Sequence, residues 1–152
     1  MFQKIFFRFV VYPAQLLFIQ DSHRTRVMIR CSDEYLLIKP RLSHYWTLPG
    51  GGIHSNETEE EGALREVKEE VGIVLRYEKL HKVWAGPIIN RRLKMNVHLF
   101  NAELKQKPPL KLQKIEIAKA KWFKPDEISA VELSEGDQFL LAQIAPDLFK
   151  MV

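Results

Sequence analysis

Residues 48–73, LPGGGIHSNETEEEGALREVKEEVGI, decide the reading of this 152-residue chain. Thr58 and Glu61 have the form of a capping box, in which hydroxyl and carboxylate each satisfy an orphan backbone N–H, and Gly72 is a natural C-terminal stop. The pattern predicts a helix from about Glu59 to Val71. At about 100° per residue, Ala63, Leu64, Val67 and Val71 share one side and pack against a core. Glu66, Glu69 and Glu70 crowd a neighbouring arc, where like charges at that spacing repel, so a stable fold needs a cation among them. Clustered carboxylate oxygens suit hard ions such as Mg²⁺ or Mn²⁺.

The turn before the helix supplies the other half of this candidate site. Pro49-Gly50-Gly51-Gly52 permits positive φ angles and close approach of backbone to ligand, so a carbonyl there can complete a coordination shell. The helix N-terminus nearby favours an anion. Arg65, beside Glu66, can orient that carboxylate or hold Glu57 across the loop. An exposed acidic helix is the plain alternative, and a glycine at position 62 costs such a helix about 1 kcal/mol relative to alanine.

From Gly51 to Ile73 the chain resembles the Nudix box at each fixed position: Gly51, Glu57, Arg65, Glu66, Val67, Glu69, Glu70, Gly72 and Ile73. The resemblance implies an α/β fold, an α/β/α sandwich with a mixed central sheet. It also implies metal-dependent hydrolysis of a nucleoside diphosphate linked to another group, or of a nucleoside triphosphate. By the same resemblance Glu66, Glu69 and Glu70 bind metal or act as base, Gly50 offers a carbonyl ligand, and Glu57 and Arg65 brace loop and helix. An acid upstream of a Trp-Phe pair approaches the metals from the far side in many members; Glu116, before Trp122-Phe123, is either that fourth carboxylate or a surface acid. A nucleotide-binding sensor without turnover and a membrane-peripheral protein are the rival functions.

Composition bounds the rest. One domain of this length buries a proper core, and a lone cysteine, Cys31, excludes an internal disulfide and gives no zinc cluster. Cys31 reads as a buried thiol, and a reducing, cytoplasmic compartment follows. The net charge is +4, yet residues 57–70 hold seven acids against Arg65 and Lys68, leaving 21 basic and 12 acidic residues elsewhere. That surround, about +9, can steer polyanions to a metal-neutralised site. No nucleic-acid motif is present, so no specific nucleic acid is expected as partner. A small nucleotide is the expected partner; an anionic membrane surface, met through residues 1–20, and a second copy in a homodimer stay open.

Residues 1–23 read as an apolar, basic helical segment, interrupted by Pro13, and residues 24–152 as the catalytic domain. With its charges and proline the segment is not a membrane span; it packs on the domain or a partner, or lies at a membrane interface. Strands are expected at Arg24–Cys31 and Tyr35–Lys39, forming a hairpin, then at Ile73–Trp84, Met95–Leu104 and Glu116–Phe123. The basic loop between the third and fourth, with Arg91, Arg92 and Lys94, is a phosphate clamp or a solvated loop. His98 either contacts substrate or is a satisfied core histidine. Ser134–Ile144 reads as an amphipathic helix ended by Pro146.

Overall fold

The computed structural model describes residues 22–90 and 93–149. Five strands, β1 (His23–Cys31), β2 (Glu34–Pro40), β3 (Leu80–Asn90), β4 (Leu93–Leu104) and β5 (Ile117–Phe123), form one sheet in the order β3-β4-β1-β2-β5. The β1–β4 pair is parallel and the others are antiparallel, so the sheet is mixed, as expected. The helices are α1 (Glu59–Val71), α2 (Pro125–Ala130) and α3 (Glu135–Ile144).

Helix α1 spans the predicted residues because both end signals operate. Thr58 and Glu61 close the capping box, and Gly72 stops the helix in the left-handed region at φ 74°. Its apolar side, Ala63, Val67 and Val71, is buried on one face of the sheet against Val27, Ile29, Leu36, Ile38 and Phe100. The opposite face packs Met28, Leu37 and Leu99 against Ile128 of α2 and Leu140 and Leu141 of α3. Tyr35-Leu36-Leu37-Ile38 reads as continuously apolar because β2 faces a helical layer on each side. The result is the α/β/α sandwich.

Gly62 has a specific use: a Cβ there would sit 3.2 Å from Glu57 Oε1, so the missing side chain leaves room for that carboxylate against the helix.

One strand differs from the sequence reading. The third begins at Leu80, not Ile73, and runs on to Asn90. Ile73 and Leu75 are buried and Val74 is 75% exposed, so the alternation is real, but the segment packs without a ladder and ends in a 3₁₀ turn at Tyr77–Lys79. Burial pattern reports which side faces the core; it does not report whether a neighbouring strand is within reach. The turn to β4 is correspondingly shorter, with Asn90 pairing Leu93. Arg91 and Arg92 fall outside the described residues, as does the expected apolar segment apart from Ser22 and His23, of which His23 opens β1. No described helix is long and apolar enough to cross a membrane.

The feature that builds the site is a splay between β1 and β2. Their ladder holds only Arg30–Tyr35 and Cys31–Glu34, next to the turn. Beyond it, residues 47–53 enter the gap: Thr47 exchanges both backbone bonds with Ile38, while the N–H groups of Val27 and Thr25 donate to the carbonyls of Pro49 and Gly51. The glycine turn is therefore held in the sheet like a short strand, directly under α1. Phe100, on β4 and fully buried in the core under α1, is a sensitive probe of this layer. Phe100→Ala should cost about 3–5 kcal/mol in urea unfolding, as a large core truncation does.

Candidate functional site

Arg65 is the hub. Its Nε donates to Glu57 Oε2 at 3.0 Å and its Nη2 to Glu57 Oε1 at 2.7 Å, a two-pronged grip across the loop. Nη2 also donates to the Gly52 carbonyl at 2.8 Å, and Nη1 to Glu66 Oε1 at 2.9 Å and Glu69 Oε2 at 3.1 Å. One side chain thus ties the glycine turn, the loop and two helix carboxylates together. The paired guanidinium holds the Glu57 carboxyl down at about 2, and Glu57 in turn raises the affinity of Arg65 for its proton.

Glu66 and Glu70 point at the turn. A Cβ on Gly51 would meet the Glu66 carboxylate at 2.5–2.7 Å, so a side chain there would push that carboxylate out of its place. Gly50, at φ 136°, takes a conformation reserved for glycine, and its N–H donates to Glu70 Oε2 at 2.8 Å. Glu70 is 7% exposed. Burial pushes its carboxyl up to about 8, with the charges of Glu66 and Glu116 adding to the rise against the Gly50 N–H and Arg26. Burial also raises Glu66, joined by Glu69 and Glu116 and opposed by Arg65. Glu116 is exposed, just before β5, and its field reaches both buried carboxylates from that side. Glu69 is half-exposed and held by Arg65.

Among the described residues no three acidic, histidine or cysteine side chains meet as a preformed metal cluster. The donor set nevertheless fits a hard divalent cation. Glu70 is a buried and Glu66 a half-buried oxygen donor, their proton affinities raised by enclosure and by neighbouring carboxylates, beside a glycine cradle that a side chain would fill. The Gly50 carbonyl already accepts from Arg26 Nη1 at 2.7 Å, and a carbonyl oxygen has a second lone pair.

His98 lies elsewhere. Its ring stacks on His23 at 5.6 Å and its Nδ1 lies 3.7 Å from Glu59, the first residue of α1. Glu59 precedes Glu69 by ten residues, roughly 15 Å of helix. Its Nε2 lies at hydrogen-bond distance, 3.3 Å, from His23 Nδ1, while Nδ1 has no hydrogen-bond partner among the described residues. Arg26, which bonds the turn, and Asp137, its partner on α3, were not singled out by the sequence. An arginine amid the apolar residues of a central strand is a signal, but no spacing rule joins position 26 to position 137.

The chain matches the NUDIX domain family over residues 16–145. It belongs to the Nudix family. An ADP-ribose pyrophosphatase of Methanocaldococcus jannaschii is 35% identical over 74 residues, 47% of this chain and 44% of that protein. A mouse oxidized purine nucleoside triphosphate hydrolase is 31% identical over 96 residues, 62% of this chain and 58% of that one. The matches thus span only about half the length of these curated relatives. Among solved structures, a bifunctional NMN adenylyltransferase/ADP ribose pyrophosphatase of Francisella tularensis, complexed with AMP and a Mn ion, aligns with TM-score 0.72 at 17% identity. It covers 93% of this chain and 47% of that one, a likeness of fold alone.

The enclosed Glu70 gives a test with a definite sign. Below the ordinary carboxylate value of 4.5 it is protonated in folded and unfolded chains alike, and nothing is lost. Between 4.5 and about 8 the unfolded chain ionises while the fold must keep the proton, so stability drains away. Glu70→Gln, whose amide oxygen can still accept from Gly50, should stabilise the metal-free Nudix chain increasingly from pH 4.5 to 8. Urea unfolding in EDTA at three pH values reads this out; equal stabilities at pH 8 would contradict it.

Proposed function

We propose that this chain is a metal-dependent pyrophosphohydrolase that cleaves a nucleoside diphosphate linked to a second group, with nucleoside triphosphates as the neighbouring class. The observation that carries the reading is the pair of enclosed carboxylates, Glu66 and Glu70, under a glycine turn. Burying two like charges side by side is costly, and a site retains them when a cation is to be captured there. The relatives named as ADP-ribose pyrophosphatase and oxidized purine nucleoside triphosphate hydrolase support the substrate classes.

Glu66, Glu69, Glu70 and the Gly50 carbonyl would hold Mg²⁺ or Mn²⁺, with Glu116 as a fourth carboxylate. Such an ion supplies charge neutralisation at pyrophosphate oxygens and makes water more acidic. The protein's own share is positional and acid–base. Arg65 fixes Glu66 by one oxygen and leaves the other free to face the substrate. Glu57 sets the orientation of Arg65, since its two oxygens take the guanidinium's Nε and Nη2 and Nη1 is left to Glu66 and Glu69. Either Glu66 or Glu116 takes the proton from the attacking water; Glu116, exposed, has the greater freedom to approach it. Arg91, Arg92 and His98 remain proposed substrate contacts, the two arginines for phosphate. A cytoplasmic location, peripheral membrane contact through residues 1–20 and, separately, a homodimer complete the reading.

A screen of purified protein with Mg²⁺ or Mn²⁺ against ADP-ribose, NADH, nucleotide sugars, dinucleoside polyphosphates and nucleoside triphosphates tests this. Turnover should appear on a diphosphate-linked substrate, vanish with EDTA, and be lost in the Glu69→Gln, Glu70→Gln double variant. Glu116→Gln should lower kcat by about 10²–10⁴-fold if it is the base. Tight nucleotide binding with no cleavage of any compound would instead make the protein a sensor.

A further inference from the structure

Asp137 is the most enclosed charge in the described structure that the reaction does not use. It lies on α3, in the layer opposite α1, and is 1% exposed. The helix does not need that charge. Ser134 is the N-cap, and its Oγ already accepts the Asp137 N–H at 3.2 Å, while the Ser134 hydroxyl donates to Asp137 Oδ2. What the carboxylate adds is Arg26: Oδ1 lies 3.2 Å from Arg26 Nε, an ion pair without the alignment of a hydrogen bond.

The far end of that guanidinium reaches the turn. Arg26 Nη1 donates to the Gly50 carbonyl at 2.7 Å and more weakly to the Thr25 carbonyl at 3.3 Å. On its other side Gly50 donates its N–H to Glu70 Oε2 at 2.8 Å. The two peptide groups flanking Gly50 are therefore fixed from opposite layers, one by Arg26 and one by Glu70. A guanidinium is planar, so a partner at Nε and another at Nη1 together set where the fork points. Without such a tether, a glycine peptide free of Cβ constraints has alternative orientations open to it.

We infer that Asp137 and Arg26 are a positioning pair that fixes the Gly50 peptide beside the carboxylate site, so that α3 governs cation capture by α1. Neither residue touches substrate or ion; Asp137 acts through Arg26, and Arg26 through the turn. The inference rests on the proposed metal site but not on turnover.

The 152-residue chain tests it through Arg26→Lys, Asp137→Asn and, as control, Ser134→Ala. Mn²⁺ affinity is read from the EPR signal of free Mn²⁺ without substrate, the Gly50 amide from ¹⁵N-¹H spectra, and melting temperature in parallel. Arg26→Lys, which cannot bridge both partners, and Asp137→Asn should each weaken Mn²⁺ binding by about 10–100-fold, as loss of a supporting contact does, and move the Gly50 amide peak. Ser134→Ala should lower the melting temperature and leave Mn²⁺ affinity within about twofold of the parent. Parental Mn²⁺ affinity in folded Arg26→Lys and Asp137→Asn would overturn the pairing. If Asp137→Asn fails to fold, Arg26→Lys decides alone, because it leaves α3 untouched. Mn²⁺ binding that obeys these expectations in a chain that cleaves nothing would defeat the hydrolase reading and keep this one. A parent that binds no Mn²⁺ overturns the inference together with the metal site on which it rests.

Discussion

The structure is organised around an electrostatic conflict: Glu66 and Glu70 are enclosed together beneath a backbone turn, with the field of Glu116 added from β5. Carboxylates buried side by side cost several kcal/mol unless they are protonated, paired or given a cation. In the metal-free fold Glu70 resolves this by holding its proton, and Glu66 by leaning on Arg65. Each neighbouring device keeps that arrangement in place. Arg65 distributes five hydrogen bonds among Glu57, Glu66, Glu69 and the Gly52 carbonyl. Gly62 makes room for Glu57, and Gly51 for Glu66.

Rigidity for the turn comes from the sheet. Because β1 and β2 part after two residue pairs, residues 47–53 complete the hydrogen bonding of both strands, and the turn inherits the stiffness of a central strand. A loop on the surface would leave its carbonyls to water and its geometry to chance. The lysine-bearing segment after β4 has a comparable structural duty, since the N–H groups of Lys111 and Gln113 donate to the carbonyls of Val71 and Glu70 at the end of α1.

Local signals were legible in the sequence and distant pairings were not. The capping box, the Gly72 stop and the acidic arc of α1 are written within one helix, so they can be read without knowing the fold. The hairpin β1–β2 follows from the alternation of Val27, Ile29 and Cys31, the continuous apolar run Tyr35–Ile38 and the turn between them. What alternation could not show was that Ile73 and Leu75 are buried without strand partners, or that His98 sits with His23 and Glu59 rather than with the other carboxylates. The depth of Glu70 was also hidden: the helical wheel places it at the edge of the apolar face, and only the glycine turn lying across it makes it buried. The Asp137–Arg26 contact joins residues 111 positions apart and has no local trace at all.

The most direct measurement of the central claim is the position of bound Mn²⁺ in crystals of this chain, located by anomalous scattering. The account requires a peak bounded by Glu66, Glu70 and the Gly50 carbonyl, with Arg65 still bridging Glu57 to the helix. A peak at His23 and His98, or none with Mn²⁺ in large excess, would contradict it.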